Sequence, residues 1–387
     1  MIFTTYTFLI FLLTTLLIYA LVPASWRKYV LILAGLIFYA FDSLGHFALL
    51  VAMTLLMYAI SRSSKKGVLL LGIVIAVGTL VYYKYWKMAV ATWNDLFASW
   101  FATELPVVQI AVPLAISFFV FEFVHYLTDV YKGKTERVSL RDFFLFIFFF
   151  PSLVAGPIKR IQSFAEDKIR FSWQDVQAGL LRMCIGLFKK IVFADSLNPL
   201  FVPVFAEPHL YSHAALWVAM YAYAFKIYLD FSAYSDMAIG AAKCFGYHLP
   251  ENFNWPYISR NLTEFWRRWH ISLSSWIRDY LYIPMGGNRN GYAKALLYTF
   301  VAMTISGLWH GSNWTFVVWG MWHGAGQVVY KLWSKWRGEK RWLPRPASQF
   351  LAWAVTFHFV CLGWVFFASP SLRDSYVFLL RMMGVMS

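Results

Sequence analysis

Uninterrupted apolar runs, set apart by short basic clusters, recur from residue 6 to residue 367. A run of about 20 apolar residues is long enough to cross the hydrocarbon core of a bilayer as a helix. The runs are continuous, not alternating, so each must satisfy its backbone hydrogen bonds within its own segment, as a membrane helix does. Only 14% of the 387 residues are charged, against roughly 25% in soluble domains. A length that would allow two or three soluble domains therefore reads as one all-α, polytopic integral membrane protein. It should have about ten to twelve membrane helices plus short interfacial ones, at about 20 residues per span.

The net charge of +15 does not point to nucleic acid. The basic residues sit between apolar runs, the pattern of cytoplasmic loops in multi-pass proteins. Residues 6–22 form the first run; no Lys or Arg precedes it, and Arg27 and Lys28 follow. That is the reverse of a cleavable signal peptide, so the run is expected to stay, with the N-terminus outside. Spans are expected near 29–41, 45–60, 67–83 and 107–129, with basic loops at Arg62, Lys65 and Lys66 and at Lys132, Lys134, Arg137 and Arg141. Further apolar segments fall at 143–155, 176–197, 211–231, 295–308 and 348–367, with a short terminal helix at 372–386. The cluster from Lys331 to Arg345, which includes Lys340 and Arg341 beside Glu339, is the strongest cytoplasmic marker. Cys184, Cys244 and Cys361 are isolated, which excludes a thiolate zinc site and a disulfide framework.

Within 107–129, Glu122, His125 and Asp129 share one helical face. Glu-x-x-His is a di-iron bundle motif, but that site needs a second copy, and none is present. A hydrogen-bonded polar seam between helices is the expected role, with no metal.

Residues 228–323 differ from the rest: Asp230, Asp236, Glu264, arginines, three histidines and two asparagines stand among aromatic residues. An ionisable group at membrane depth costs about 2.5–3.5 kcal/mol on insertion scales. His310 follows the run 295–308 and is flanked by Gly307 and Gly311, which let a backbone or ligand approach. A neutral imidazole there suits a general base; a satisfied core histidine is the plain alternative. His270 follows Trp266, Arg267, Arg268 and Trp269. Arginines beside a polar cavity bind phosphate or carboxylate, or anchor at the interface. With the turn at 284–288, this suggests a pocket. His323 stands 13 residues after His310; on one unbroken helix the two would lie about 220° apart at about 100° per residue, which gives His323 a packing role. Asp230 and Asp236 could be a glycosidase-type pair by residue type, but they fit a local network with Ser232, Tyr234 and Ser235 better. Asn252 and Asn254 are expected to shape a polar loop. The candidate catalytic residues are thus His310 and His270. The candidate substrate-binding residues are Arg267, Arg268, Trp266, Trp309, Asn252, Asn254 and Asp236.

The stretches VPLAISFFVFEFVHYLTDVYKG (112–133), FPSLVAGPIKR (150–160), GLFKKIVFADSLNPL (186–200), YLDFSAYSDMAIG (228–240), the 249–289 block and LWHGSNWTFVVWGMWHG (308–324) resemble the membrane-bound O-acyltransferase family. Within it they are most similar to the bacterial branch of alginate O-acetyltransferase membrane subunits. The resemblance implies a single domain over 1–387, with its core at 110–370 and peripheral helices at 1–105. It implies helices around a central tunnel and a cytoplasmic funnel for a thioester. The family's invariant histidine maps to His310, and its second polar position to His270. No permanently bound cofactor is implied. The donor would be acyl-CoA, acetyl-CoA first, or an acyl carrier protein. The acyl group would cross the bacterial cytoplasmic membrane to a cell-wall or exopolysaccharide hydroxyl, through an extracytoplasmic partner acyltransferase or small membrane subunit. Membrane lipids are the other expected partners, and nucleic acid is not. The chain ends soon after 363–384, where many polysaccharide members continue, so the resemblance leaves acceptor and partner surface open. D-alanyl transfer from a carrier protein to teichoic acid is the enzyme alternative. A transporter of an anionic polymer is the other, although the inverted repeats of transporters are not seen in the sequence.

Overall fold

The computed structural model describes residues 3–101, 104–165, 170–338 and 344–386. Glu339, Lys340 and Arg341 of the basic cluster lie outside the described residues. Every regular element among the described residues is helical. The chain divides into two compact units, Met1–Leu187 with Tyr234–Pro250, and Phe188–Ala233 with Glu251–Ser387.

The first unit opens with helices Tyr6–Leu21, Ala24–Ala40 and Leu44–Ser61, followed by Lys66–Leu80, which widens at Val81–Tyr85 and continues as Trp86–Phe101. Their starts follow from side-chain caps: Thr5 accepts from the Phe8 N–H and Ser43 from the His46 N–H, satisfying donors a first turn leaves orphaned. The expected span at 107–129 is corrected. The helix runs Ile116–Tyr131, with no helix over residues 104–112. Pro106 and Pro113 offer no N–H to an advancing helix, and Ala115 takes a left-handed backbone at φ 58° just before the first turn. The phenylalanine-rich run is likewise two short helices, Leu140–Ile147 and Phe150–Leu153, whose rings build the unit's core: Phe143, Phe146, Phe148 and Phe149 are wholly buried. Gly35 makes that packing possible, because a Cβ there would sit 1.7 Å from the Phe148 carbonyl oxygen.

Glu122, His125 and Asp129 do form a buried seam, with partners outside their own helix. The Lys159 ammonium is hydrogen-bonded to the Glu122 carboxylate. His125 Nε2 lies 3.3 Å from Asp129 Oδ2, and the Gln162 amide donates to the same oxygen at 3.1 Å.

The second unit holds helices Asn198–Ala206, Leu262–Arg268, Ile271–Ile277, Tyr292–His310, Trp314–Arg337, Arg345–Ala368 and Leu372–Met382, and residues 213–233 of the helix His213–Cys244. Its core is aromatic, centred on Phe265, Trp269, Trp319 and Trp364. The Tyr292–His310 and Trp314–Arg337 helices cross glycine on glycine: a Cβ on Gly307 would stand 2.2 Å from the Phe316 carbonyl oxygen, and one on Gly320 2.6 Å from that of Met303. The expectation for Asp230 is corrected: its carboxylate is held by lysines, Lys190 at 3.0 Å and Lys226 at 2.6 Å, while Ser232 accepts from Lys189 at 3.3 Å.

By length and composition alone, three helices among the described residues suffice to cross a membrane: Leu44–Ser61, Lys66–Phe97 and Arg345–Ala368. The other expected spans are shorter or carry charge, as His213–Cys244 does with Lys226, Asp230, Asp236 and Lys243. The outer surface is greasy. Ile10, Leu17, Leu21, Leu33, Leu351 and Val355 are all exposed, an apolar area far beyond what water-soluble monomers present. The molecule is a helical membrane protein.

Candidate active site

The sequence-predicted site residues of the second unit converge on one loop and one helix end. The loop begins after the helix Leu262–Arg268. Asn261 caps that helix, its side-chain oxygen accepting from the Glu264 N–H at 2.8 Å, and Glu264 reaches back to the Arg260 N–H at 3.0 Å, a variant of the capping box. The next helix, Ile271–Ile277, starts three residues after the first one ends. His270 bridges the gap in a left-handed conformation, φ 42° and ψ 56°. For a residue other than glycine that geometry costs on the order of 1–2 kcal/mol, so its surroundings must enforce it.

They do so by pairing the loop with residues 252–254. The Ile271 N–H donates to the Asn252 carbonyl and the Asn254 N–H to the Arg268 carbonyl, both at 2.9 Å. The Asn252 side-chain oxygen then accepts from His270 Nδ1 at 3.1 Å, from the Ser272 N–H at 3.3 Å and from the Ser272 hydroxyl at 2.8 Å. Asn252 and His270 are each 1% exposed. The other nitrogen of His270, Nε2, has no hydrogen-bond partner among the described residues.

His310 arrives from elsewhere. It is the last residue of Tyr292–His310, and the chain turns at once through Gly311, where a Cβ would collide with the Phe316 ring at 2.1 Å. Asn313 caps the following helix through the Thr315 N–H at 3.0 Å. The His310 imidazole stands in an aromatic box, with ring centres 4.8 Å from Trp309, 5.0 Å from Trp319 and 5.1 Å from Phe367. The His270 and His310 ring centres are 6.5 Å apart. Unlike His270, His310 is only partly buried.

The other candidates divide. Trp309 lies against both imidazoles, 6.1 Å from His270. Trp266 instead packs on Trp319 and His323. Arg268 is tied down, its guanidinium on Glu264 at 3.1 Å and on the Asn254 carbonyl at 3.2 Å. Arg267 is exposed, as is Asn254. Asp236 belongs to the first unit, where Arg182 holds it at 3.0 Å. His323 does not share a helix with His310, since the chain breaks at 311–313. It is fully buried between Phe265, Trp266 and Trp319. A cavity of about 810 Å³ in this unit is lined by Arg260, Trp322, Gly326, Trp333, Arg337 and Phe359 and by neither candidate catalytic histidine.

Three contributors escaped the sequence reading. The Phe231 ring lies 4.7 Å from His270, Phe367 closes the box at His310, and Ser272 shares the Asn252 oxygen. Ser272 stands two residues from a candidate histidine, a spacing that could have flagged it; nothing in the sequence marks the two phenylalanines.

A family model for MBOAT, the membrane-bound O-acyltransferase family, matches residues 4–369. The chain is 38% identical to a protein of Azotobacter vinelandii named a probable alginate O-acetylase, over 96% of this chain and 76% of that one. It is 34% identical to a peptidoglycan O-acetyltransferase of Helicobacter pylori, over 94% of this chain and 74% of the relative. Identity to a teichoic acid D-alanyltransferase of Bacillus subtilis is 30%, over 68% of this chain and 70% of that one.

Proposed function

The chain belongs to the membrane-bound O-acyltransferase family, and on that premise we propose that it carries an acetyl group from cytoplasmic acetyl-CoA to hydroxyls of a polymer outside the bacterial cytoplasmic membrane. The names of its relatives, an alginate O-acetylase and a peptidoglycan O-acetyltransferase, support an exopolysaccharide or cell-wall acceptor. The acyl group is handed on through an extracytoplasmic partner acyltransferase or small membrane subunit. The chain acts as one membrane-embedded domain, its N-terminus outside and its basic loops in the cytoplasm, the orientation favoured by its Lys and Arg distribution.

The observation that carries the reading is the pair of imidazoles, 6.5 Å apart, one buried and one partly exposed. In the transfer, the hydroxyl oxygen attacks the thioester carbonyl carbon and the C–S bond breaks. The hydroxyl proton passes through an imidazole to the leaving sulfur, so the products are an ester and a thiol. His310 is the general base, or the transient acyl acceptor, and His270 orients the reacting groups. A positioned base of this kind contributes about 10²–10⁴-fold. Exposed Arg267 attracts the anionic donor. Arg268, committed to Glu264, holds the loop.

The test is His310→Ala, with acetylation of the extracellular polymer measured alongside the amount of protein in membranes. Loss of at least about 100-fold at normal abundance is expected; wild-type acetylation would end the catalytic assignment. The B. subtilis relative favours one second reading, D-alanyl transfer from a carrier protein. Transfer from a D-alanyl carrier protein with no use of acetyl-CoA would establish it.

A further inference from the structure

The hydrogen bonds around Asn252 settle which nitrogen of His270 carries the proton, and that limits what His270 can do. The Ser272 backbone N–H can only donate. The Asn252 side-chain atom facing it at 3.3 Å is therefore the amide oxygen and not the amide nitrogen. The same oxygen faces His270 Nδ1 at 3.1 Å. An oxygen without a hydrogen can only accept, so Nδ1 bears the N–H. The ring is neutral: it is buried against Phe231 and Trp309, the titratable ring facing it is His310, and a charged ring would leave a second buried N–H donor unpaired. In a neutral imidazole with Nδ1–H, Nε2 is a bare lone pair. Nε2 is the atom that has no hydrogen-bond partner among the described residues.

We propose that Asn252, with Ser272, is a positioning residue that locks His270 in the Nδ1–H tautomer, so that its Nε2 meets the substrates as a hydrogen-bond acceptor and never as a donor to the thioester carbonyl. The inference rests on the acyl-transfer reading and selects between two ways His270 could act within it. A carbonyl-polarising histidine must present an N–H; this one presents a lone pair. Its ligand is the donor group of a substrate, the O–H of the hydroxyl that accepts the acyl group. A neutral amide is suited to the task. It fixes the tautomer as the carboxylate of a serine-protease triad does, without placing a negative charge beside the ring. The left-handed backbone of His270 and the two main-chain bonds from Ile271 and Asn254 hold the ring and the amide in one rigid frame.

The experiment has two arms on the full-length protein. In the first, ¹⁵N-labelled histidine is incorporated and the ring nitrogens are read by solid-state NMR, the His270 signals being identified by their loss in His270→Gln. A protonated Nδ1 and an unprotonated Nε2 are expected in the wild type, and a mixture in Asn252→Leu. A protonated Nε2 in the wild type would overturn the proposal. In the second arm, transfer of label from radioactive acetyl-CoA to the polymer fraction is followed in membranes normalised for protein amount. Asn252→Leu should lower kcat about 10- to 100-fold, the usual effect of losing an orienting partner, with KM for acetyl-CoA unchanged. Asn252→Asp, which keeps an acceptor oxygen, should restore most of the rate. Ser272→Ala should cost less than Asn252→Leu. A residue that only braces the fold would lower the amount of protein and leave kcat per molecule intact, and that result would also overturn the proposal. If Asn252→Leu does not accumulate, the NMR arm and the comparison of Asn252→Asp with Ser272→Ala decide. Absence of any transfer by the wild type would sink the acyl-transfer reading, and the role of His270 with it. Wild-type transfer with kcat unchanged in Asn252→Leu would sink this inference alone.

Discussion

His323 is a histidine that the fold treats as an aromatic ring. It is wholly buried, both ring nitrogens lack hydrogen-bond partners among the described residues, and Phe265 stacks on it at 6.2 Å. Replacing it with Leu removes ring contacts worth about 1 kcal/mol and also removes two unsatisfied polar atoms, whose burial costs about as much or more. His323→Leu is therefore expected to keep at least half of the transfer activity and a melting temperature close to wild type, in contrast to His310→Ala. The two residues belong to one motif-like stretch, and the sequence reading assigns His323 a packing role on the assumption of one unbroken helix, which the break at 311–313 removes. What it could not supply was the identity of their neighbours. The role of Asn252 depends on a pairing with a loop 18 residues away, and side-chain direction in a loop has no periodicity to read. Arg267 and Arg268 looked equivalent for the same reason, yet one is exposed and the other is fixed by Glu264 four residues earlier.

Helices carry the site by meeting at glycines. Gly307 lies one turn before His310, and a methyl group there would press on the Phe316 carbonyl and on Gly320 Cα at 2.8 Å. Backbone cannot yield as a side chain can, so the two helices would have to part, at a cost of about 1–3 kcal/mol or more. Gly307→Ala should accordingly lower the thermal midpoint in detergent and reduce transfer at least about tenfold, because a displacement near 1 Å costs about that much or more. Gly67→Ala is the control. Its Cβ meets nothing within 4 Å, and alanine in a helix should be neutral or stabilising by up to about 1 kcal/mol. Several helix boundaries were legible, since apolar run and helix coincide at Tyr6–Leu21, Leu44–Ser61 and Arg345–Ala368, while the expected 211–231 runs on to Cys244. The miss at 107–129 shows the limit: the part before Ile116 is nearly as apolar as the helix that follows, and hydropathy does not register that Pro106 and Pro113 withhold donors.

At the scale of the whole molecule, an apolar exterior encloses buried charge. The protein should resist extraction by carbonate and require detergent. A cysteine introduced as Gly338→Cys in a Cys184→Ser background should react with an impermeant maleimide only from the cytoplasmic side; labelling from outside would reverse the proposed orientation. The Glu122–Lys159 pair gives a further test. Lys159→Met leaves a buried carboxylate alone, and breaking such a pair costs about 3–5 kcal/mol. Adding Glu122→Leu should recover most of the loss in thermal midpoint, because a well-packed apolar pair replaces the ion pair. The sequence announced the polar seam but not Lys159, which is 37 residues from its partner and follows the helix break that Pro151, Gly156 and Pro157 mark in the sequence.

The main chain at position 270 has one more consequence. A left-handed turn at φ 42° admits few side chains comfortably, chiefly glycine, asparagine, aspartate and histidine. Of these, glycine and asparagine have no imidazole lone pair to offer, and aspartate would bring a negative charge into the aromatic box. The bend therefore filters substitutions before any chemistry does. Exchanging His270 for Asn should leave a well-folded protein that has lost the imidazole lone pair, while Val or Ile at the same place should lower the thermal midpoint, because a β-branched side chain is strained in that backbone.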